Sequence, residues 1–222
     1  MDDPLDARPV AERTIYEGRV IGLRIETVEF ADGSRREREI VDHRGAVAIL
    51  ALDGDELVLV RQHRAPAGRV LLEIPAGTRD LLADGTVEDP ALTASRELGE
   101  ETGMQAATWR HLASFWTAPG FATETMDLYL ATDLAPAEGA EAAEDERIAV
   151  QRIRWRRALE MVGEGEIADA KSIVGILWLA RLMEADAIAP GGAGRGGTAP
   201  TGGPSPPRDG GGHAHDRAGP GA

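Results

Sequence analysis

The sequence predicts an α/β fold, a sandwich in which strands pack around one acidic helix, with a second buried helix near the end of the chain. Two short apolar runs, GAVAILAL at 45–52 and ELVLVRQ at 56–62, are typical of buried strands. Residues 89–103 carry the start and stop signals of a helix. Residues 171–187 contain the run IVGILWLARLM, which is apolar on nearly every side, so we expect that helix to be well buried.

Ahead of the sandwich, residues 13–43 are expected to form strands, in an N-terminal subdomain over residues 1–44. β-Branched and apolar residues mix with charges in this segment, and Asp32-Gly33 marks a turn. The segment has too few large apolar residues to build its own core. It can pack on a second copy of the chain or dock on its own domain, and the sequence favours neither arrangement.

The main domain is expected over residues 45–188, with Asp53-Gly54-Asp55 as the hairpin turn between its first two strands. Later strands are predicted in VLLEIPAG, TWRHLASFWTAPG, MDLYLATDL and RIAVQRIRW. A short helix is predicted over 157–162, ending at Gly163. Residues 189–222 are rich in glycine and proline and cannot bury enough apolar area to offset their ordering entropy, so we expect a disordered tail.

The acidic helix has clear ends. Asp89 can cap it, Pro90 suits its first turn, and Gly103 can end it in a left-handed conformation. Between these signals lie three glutamates on or beside one helix face: Glu97, Glu100 and Glu101. Like charges at this spacing repel one another, so the face is either solvated or bound to a divalent cation, which prefers carboxylate oxygens.

Composition excludes several classes of protein. The chain has 222 residues and a formal net charge of −14, a poor fit to nucleic acid, which calls for a basic patch. An anionic substrate would need local arginines and bound metal ions to offset that charge. There is no cysteine, no signal peptide is recognised, and no apolar run is long enough to span a membrane, so a cytoplasmic protein is expected. No serine–histidine pairing is apparent.

The stretch from residue 77 to residue 104 resembles the box of the Nudix hydrolase family, a glycine and a glutamate followed by Arg-Glu-apolar-x-Glu-Glu-x-Gly-apolar. The matching residues are Gly77, Glu88, Arg96, Glu97, Leu98, Glu100, Glu101, Gly103 and Met104. One departure is the loop from Gly77 to Glu88, which is longer than the usual pattern by five residues. The resemblance implies the Nudix α/β/α sandwich, with the N-terminal strands added to it.

The resemblance also implies a magnesium site, in which manganese can substitute. Glu97 and Glu101 would be metal ligands, Glu100 a further ligand or a supporting group, and the carbonyl of Ala76 another ligand. Arg96 would orient Glu88 or a metal-bound glutamate. An acidic loop would supply the remaining groups, with Glu144 as the base that activates water and Glu146 as a metal ligand. Glu141 and Asp145, in the same loop, are the other candidates for the base.

Several residues resemble those of the ADP-ribose pyrophosphatase subgroup. Pro119 lies fifteen residues beyond Met104, where that subgroup carries a proline. Substrate-binding roles are implied for Pro119 together with Glu124, Arg64, Arg38 and Glu39. The last two would reach the nucleotide across a homodimer. Each also has a simpler interpretation, as a turn proline, a surface charge or a cross-strand ion pair.

The resulting functional prediction is magnesium-dependent hydrolysis of ADP-ribose to AMP and ribose 5-phosphate. One alternative is hydrolysis of another nucleoside diphosphate sugar, since the base-reading pocket is not visible in the sequence. A second is a module that senses ADP-ribose without cleaving it. The intact glutamates of the box and the absence of a recognisable DNA-binding region argue against the sensor. Neither nucleic acid nor membrane is an expected partner.

Overall fold

A mixed seven-stranded sheet lies at the centre of the computed structural model, which describes residues 3, 5–137 and 147–185 of the chain. Its strands are β4 (Ala46–Asp53), β5 (Glu56–Arg64), β6 (Arg69–Glu73), β7 (Ala76–Thr78), β8 (Met104–Trp116), β9 (Thr125–Pro136) and β10 (Ala149–Arg154). The main path runs in the order β10-β5-β4-β9-β8, with β6 paired to β5 and β7 paired to β4. β4 and β9 are parallel, and the other pairs are antiparallel.

Helices cover both faces of this sheet: α1 (Pro90–Thr102), α2 (Trp155–Glu164) and α3 (Ala170–Glu184). Strand β4 is buried along its length except at its last residue, because it is covered from both sides. Its odd-numbered residues, from Val47 to Ala51, belong to the core cluster that contains Leu98 of α1. Its even-numbered residues belong to the cluster that contains Ile176 of α3. The predicted α/β/α sandwich is confirmed, and an apolar run without alternation is what such a two-sided strand requires.

The ends of α1 are those that the sequence predicts. The Asp89 carboxylate accepts a hydrogen bond of 2.8 Å from the Ala91 N–H, and Pro90 occupies the first turn. Gly103 has a φ of 68° and donates its N–H to the Gly99 carbonyl. A glycine takes this left-handed conformation without the steric cost that other residues meet. These caps fix where α1 begins and ends.

The last two helices differ from the prediction. The helix predicted over 157–162 instead begins at Trp155 and ends at Glu164, because the left-handed residue that terminates it is Gly165 rather than Gly163. The prediction that α3 is well buried holds for one face only. Leu177 and Trp178, on its other side, are 50% and 40% exposed. Apolar composition cannot show how many sides of a helix have neighbours.

The N-terminal strands β1 (Ala7–Glu17), β2 (Ile21–Phe30) and β3 (Arg35–His43) form a separate antiparallel sheet. β1 is exposed throughout except at Val10, which is half-buried. This sheet is hydrogen-bonded to the rest of the chain near the end of β3. There the Val41 N–H donates to the Phe121 carbonyl at 2.7 Å, and the Val41 carbonyl accepts from the Thr123 N–H at 2.9 Å. One copy of the chain therefore leaves β1 uncovered.

Two predicted features lie outside the described residues: the tail at 189–222, and the acidic loop that contains Glu141, Glu144, Asp145 and Glu146. Within the described ranges, no helix has both the length and the apolar character that crossing a membrane demands.

The two faces of α1 give a matched test of the core. Leu98 is fully buried, whereas Leu92 on the same helix is 65% exposed. Leu98→Ala should lower the free energy of unfolding by about 2–5 kcal/mol, because it removes apolar contacts and leaves a cavity. Leu92→Ala should change it by no more than about 0.5 kcal/mol. Urea denaturation followed by circular dichroism measures both, and equal losses would contradict the packing described here.

Candidate active site

A cavity of about 310 Å³ lies where α1, β7 and the turn between β1 and β2 meet. Its wall includes three acidic and three basic side chains: Glu97, Glu101, Asp80, Arg19, Arg44 and Arg64. Two of the predicted metal ligands, Glu97 and Glu101, are thus on the same surface as the predicted substrate-binding Arg64. Ala76, predicted to offer its carbonyl to the metal, also lines this cavity.

The two cavity glutamates of α1 are held against the strands β5 and β7. Glu101 is only 7% exposed, and its carboxylate accepts hydrogen bonds from the Ala76 N–H at 3.0 Å and from the Gln62 side chain at 3.3 Å. The Glu97 carboxylate lies directly over Gly77, so close that a Cβ on residue 77 would overlap it. This contact explains why the box needs glycine at that position.

Arg96 binds the remaining acidic groups of the box. Its guanidinium lies 2.9 Å from a Glu88 oxygen, 2.9 Å from a Glu97 oxygen and 2.8 Å from a Glu100 oxygen. The hydrogen bond from Arg96 is the main cause that lowers the pKa of Glu88. Burial works against the charge on Arg96, yet its carboxylate partners raise its pKa. Arg96 thus draws together carboxylates that would otherwise repel one another.

The long loop between Gly77 and Glu88 folds as a small hairpin. The Leu82 N–H donates to the Thr86 carbonyl at 2.8 Å, and the Glu88 N–H donates to the Asp80 carbonyl at 2.9 Å. The Arg79 side chain holds the Glu88 carbonyl at 2.7 Å. The additional residues are therefore accommodated in the hairpin, and Glu88 still reaches Arg96.

Arg64 is anchored by a buried carboxylate. Its guanidinium makes hydrogen bonds of 2.9 Å and 2.7 Å to the two oxygens of Glu73, which is only 1% exposed. Glu73 also accepts a hydrogen bond from Lys171, which in turn pairs with Asp169 at 2.9 Å. Burial alone would raise the pKa of Glu73, but the hydrogen bonds and charges of Arg64 and Lys171 outweigh burial and lower it. Glu73 is therefore ionised at neutral pH.

Sequence reasoning missed Arg19 and Arg44. Arg44 donates to the Arg79 carbonyl and to the Arg19 carbonyl, both at 3.2 Å, and so fastens the β1–β2 turn to the loop of the box. The only signal in the sequence was indirect, namely that a chain of charge −14 needs local arginines to attract an anion. Which arginines are close to the glutamates is decided by the fold.

Other predicted residues do not line this cavity. Glu100 points to Arg96, and Arg38 and Glu39 lie on the exposed part of β3. Pro119 lies in a turn. The Glu124 carboxylate accepts a hydrogen bond from Thr117 at 2.5 Å, well along the chain from the box. Of the residues implied for the subgroup, only Arg64 lines the cavity together with residues of the box.

Among residues 3, 5–137 and 147–185, no group of three or more His, Cys, Asp or Glu side chains is arranged to hold a metal ion by itself. The cavity nevertheless has the ligand chemistry of a hard cation, in the carboxylates of Glu97 and Glu101. Magnesium is often bound by one or two carboxylates together with water and substrate phosphates, without a complete cage of protein ligands. The residues present fit a magnesium ion of that kind.

A serine, a histidine and an aspartate do meet on β8 and β9, although no such pairing was apparent in the sequence. His111 Nε2 lies 3.0 Å from Ser114 Oγ and 3.3 Å from an Asp127 oxygen. The Ser114 hydroxyl donates to Asp127 at 2.5 Å. In a catalytic triad the histidine bridges the other two residues through its two different nitrogens. In this cluster the same nitrogen, His111 Nε2, contacts both Ser114 and Asp127. The cluster therefore lacks the geometry of a nucleophilic site.

The family comparison agrees with the geometry. The model of the NUDIX domain family matches residues 42–174, more than half of the chain. An ADP-ribose pyrophosphatase of Bacillus subtilis is 41% identical over 183 residues, which is 82% of this chain and 96% of the relative. An ADP-ribose pyrophosphatase of Mycobacterium tuberculosis is 39% identical over 78% of this chain and 82% of its own length.

A solved structure is also similar. The crystal structure of an ADP compounds hydrolase superposes with a TM-score of 0.71 and covers 84% of this chain and 98% of its own. The two sequences are 20% identical, so this likeness concerns the fold alone.

The close approach of Gly77 and Glu97 can be tested by adding a methyl group. Gly77→Ala should displace the Glu97 carboxylate and weaken metal binding roughly 10–100-fold, as loss of a ligand's support does. The fold should survive, since the displaced group is the end of a flexible side chain. Gly99→Ala in α1 is the control, because the nearest atom to its new Cβ is 3.9 Å away. Manganese titration followed by electron paramagnetic resonance, alongside thermal melts, separates the two, and unchanged affinity in Gly77→Ala would contradict the contact.

The buried carboxylate Glu73 gives a prediction about pH. Because its pKa is lowered on folding, its ionised form stabilises the protein above the ordinary pKa of a carboxyl group, and this contribution is lost as the pH falls through the lowered value. Glu73→Gln should therefore be less stable at pH 7, by about 3 kcal/mol, since it removes the buried carboxylate that Arg64 and Lys171 share. The difference from the wild-type protein should shrink below about pH 4.3. Urea midpoints from pH 7 to pH 3 measure it, and a constant difference would show that Glu73 is not ionised.

Proposed function

The chain belongs to the NUDIX family, and on that basis we propose that it hydrolyses the pyrophosphate bond of ADP-ribose, giving AMP and ribose 5-phosphate with the aid of a divalent metal ion. Nudix hydrolases are in general dependent on divalent metals, and we propose magnesium as the metal here, with manganese able to substitute. The ADP-ribose pyrophosphatases of Bacillus subtilis and Mycobacterium tuberculosis, as relatives over most of the chain, support this choice of substrate.

One observation carries the proposal: a single cavity presents two box carboxylates and three arginines. A diphosphate needs its negative charges balanced before water can approach the phosphorus. Arg19, Arg44 and Arg64 supply positive charge at that surface. Guanidinium groups suit phosphate oxygens because their N–H donors lie in one plane and can bind two oxygens together.

We assign roles to the groups of the box as follows. Glu97 and Glu101 hold the metal, and the Ala76 carbonyl offers a further oxygen. Bound magnesium would stabilise charge on phosphate oxygens and activate water. Arg96 keeps Glu97 in place through the ion pair described above and also binds Glu100, which thereby supports the ligands rather than entering the cavity.

The base that accepts the proton of the attacking water is proposed to be Glu144, with Glu146 as a further metal ligand. Both belong to the acidic segment that the sequence predicts to be a loop, and they lie outside the described residues. A loop suits a group that approaches only when substrate is bound. Glu144→Gln should leave metal affinity largely intact and slow the chemical step by about 10²–10⁴-fold, the usual effect of losing a general base. The corresponding amide variants Glu141→Gln, Asp145→Asn and Glu146→Gln provide the comparison.

The function is tested with a substrate panel. Purified protein with magnesium should hydrolyse ADP-ribose faster than GDP- or UDP-sugars, and EDTA should abolish turnover. Glu101→Gln should lower the rate roughly a hundredfold or more and weaken magnesium affinity, because it removes a charge from the metal site. Phosphate released after phosphatase treatment is the readout. A preference for another nucleotide sugar would show that ADP-ribose is not the substrate. Tight binding of ADP-ribose without turnover would favour the sensor instead of the enzyme.

We also propose a homodimer in which the N-terminal sheets are exchanged. The support is that β1 is uncovered in one copy and carries exposed apolar side chains at Ile15 and Tyr16, a surface that a partner would bury. Arg38 and Glu39 do not line the cavity of their own chain, so they are available to that of the other subunit.

Complementation tests this arrangement. Arg38→Ala and Glu101→Gln should each be nearly inactive alone. Coexpressed in equal amounts they should regain about a quarter of wild-type activity, since half of the dimers are mixed and each mixed dimer has one intact site. Light scattering gives the mass in the same samples. A monomer with full activity, or no recovery in mixed dimers, would refute the shared site.

A further inference from the structure

A group of four alternating charges, with the buried Glu73 among them, connects the wall of the cavity to the start of α3. It runs from Arg64 through Glu73 and Lys171 to Asp169. Lys171 is the only lysine in the chain; every other residue among its 24 lysines and arginines is an arginine. Only 13% of the Lys171 side chain is exposed, so it does not serve as a surface charge.

The start of α3 fixes the strand segment that carries Glu73. Asp169 caps α3 by accepting a hydrogen bond of 3.1 Å from the Ser172 N–H. The Ser172 hydroxyl accepts a hydrogen bond of 2.8 Å from the Ile74 N–H. Backbone and side chain of the segment around Glu73 are therefore both held by residues about a hundred positions later in the sequence.

Such a network does little for net stability, because bringing charges out of water costs about as much as their attraction returns. The network does, however, restrict the orientation of the Glu73 side chain. Both Glu73 oxygens bind Arg64, and one of them also binds Lys171, so Glu73 cannot turn without breaking contacts on two sides. Arg64 is the member of the group that reaches the cavity.

We propose that Lys171, supported by Asp169, is a positioning residue for substrate binding, which acts by holding Glu73 so that Arg64 presents its guanidinium to the phosphates of the substrate. This inference rests on the proposed function. Lys171 also takes part of the Glu73 charge, which leaves more of the Arg64 charge for an incoming anion. Without Lys171, the side chains of Glu73 and Arg64 could rotate together, so the orientation of the guanidinium would be less defined. The Glu73 charge would also neutralise Arg64 more fully.

The test begins with Lys171→Met, which keeps the length of the side chain and removes its charge. It should raise KM for ADP-ribose about tenfold, equivalent to about 1.4 kcal/mol of binding. kcat should change little, because Glu97 and Glu101 are untouched. Lys171→Arg should restore most of the affinity. A residue with a merely structural role would lower the melting temperature and leave KM of the folded protein as it was.

A double-mutant cycle shows whether Lys171 acts through Arg64. In an Arg64→Met background, Lys171→Met should have little further effect on KM, since the group that it positions is gone. An unchanged KM in Lys171→Met, or an equal rise in both backgrounds, would overturn the proposal. If the panel identifies another nucleotide sugar, that compound is used in place of ADP-ribose, so failure of the substrate assignment and failure of the positioning role remain distinct.

The single lysine allows a second measurement that does not depend on turnover. Protein grown with ¹³C-labelled lysine should show one lysine Cε resonance in the full chain. Titration with inorganic pyrophosphate in EDTA should shift this resonance in the wild-type protein, because an anion bound to Arg64 changes the charge around Glu73, the carboxylate that Lys171 contacts. The shift should vanish in Arg64→Met. A wild-type resonance that stays in place while pyrophosphate binds would overturn the coupling, even if Lys171→Met failed to fold.

Discussion

The contact between α1 and the short strand β7 is the constraint on which the site depends. Glu101 accepts the Ala76 N–H, and the Glu97 carboxylate lies on Gly77, where no side chain can fit. Two carboxylates at adjacent turns of a helix repel each other, and this contact supplies donors and space that keep both on one surface. Arg96 completes the arrangement on the other side by binding Glu97, Glu88 and Glu100 together.

The sandwich makes that contact rigid. β4 is buried on both faces, with α1 packed on one and α3 on the other, and β7 is paired to β4. A helix whose buried face is fixed by Leu98 presents Glu97 and Glu101 in a constant direction. The same sheet carries Arg64 at the end of β5 and Glu73 at the end of β6, two antiparallel strands that are paired with each other. Rigid elements suit groups that must hold a metal ion or a phosphate within narrow limits of geometry.

Charge is distributed very unevenly over this protein. The chain as a whole carries −14, yet charge is balanced in the cavity wall, where Arg19, Arg44 and Arg64 accompany Glu97, Glu101 and Asp80. Arg44 is central, because its hydrogen bonds to the Arg19 and Arg79 carbonyls fix the N-terminal turn against the loop of the box. The N-terminal sheet therefore contributes to the cavity of its own chain through Arg19, in addition to any role that Arg38 and Glu39 have in a partner's site. Three arginines gathered at one cavity of an otherwise acidic chain favour a small anion that fits there over a nucleic acid, which would meet the whole surface.

The sandwich, the ends of α1 and the box can all be predicted from sequence patterns, because caps, apolar runs and closely spaced motif residues are local features whose physics acts within a few residues. The sequence also implied Arg64 through family resemblance. Tertiary structure alone decided that Arg19 and Arg44 reach the cavity, that Glu100 turns to Arg96, and that Lys171 binds Glu73 from about a hundred residues away. It also decided that Gly165, rather than Gly163, terminates α2 and that one side of α3 is exposed. Such outcomes depend on which elements that are distant in the sequence pack together. The residue pattern of one segment does not specify which other segments will contact it.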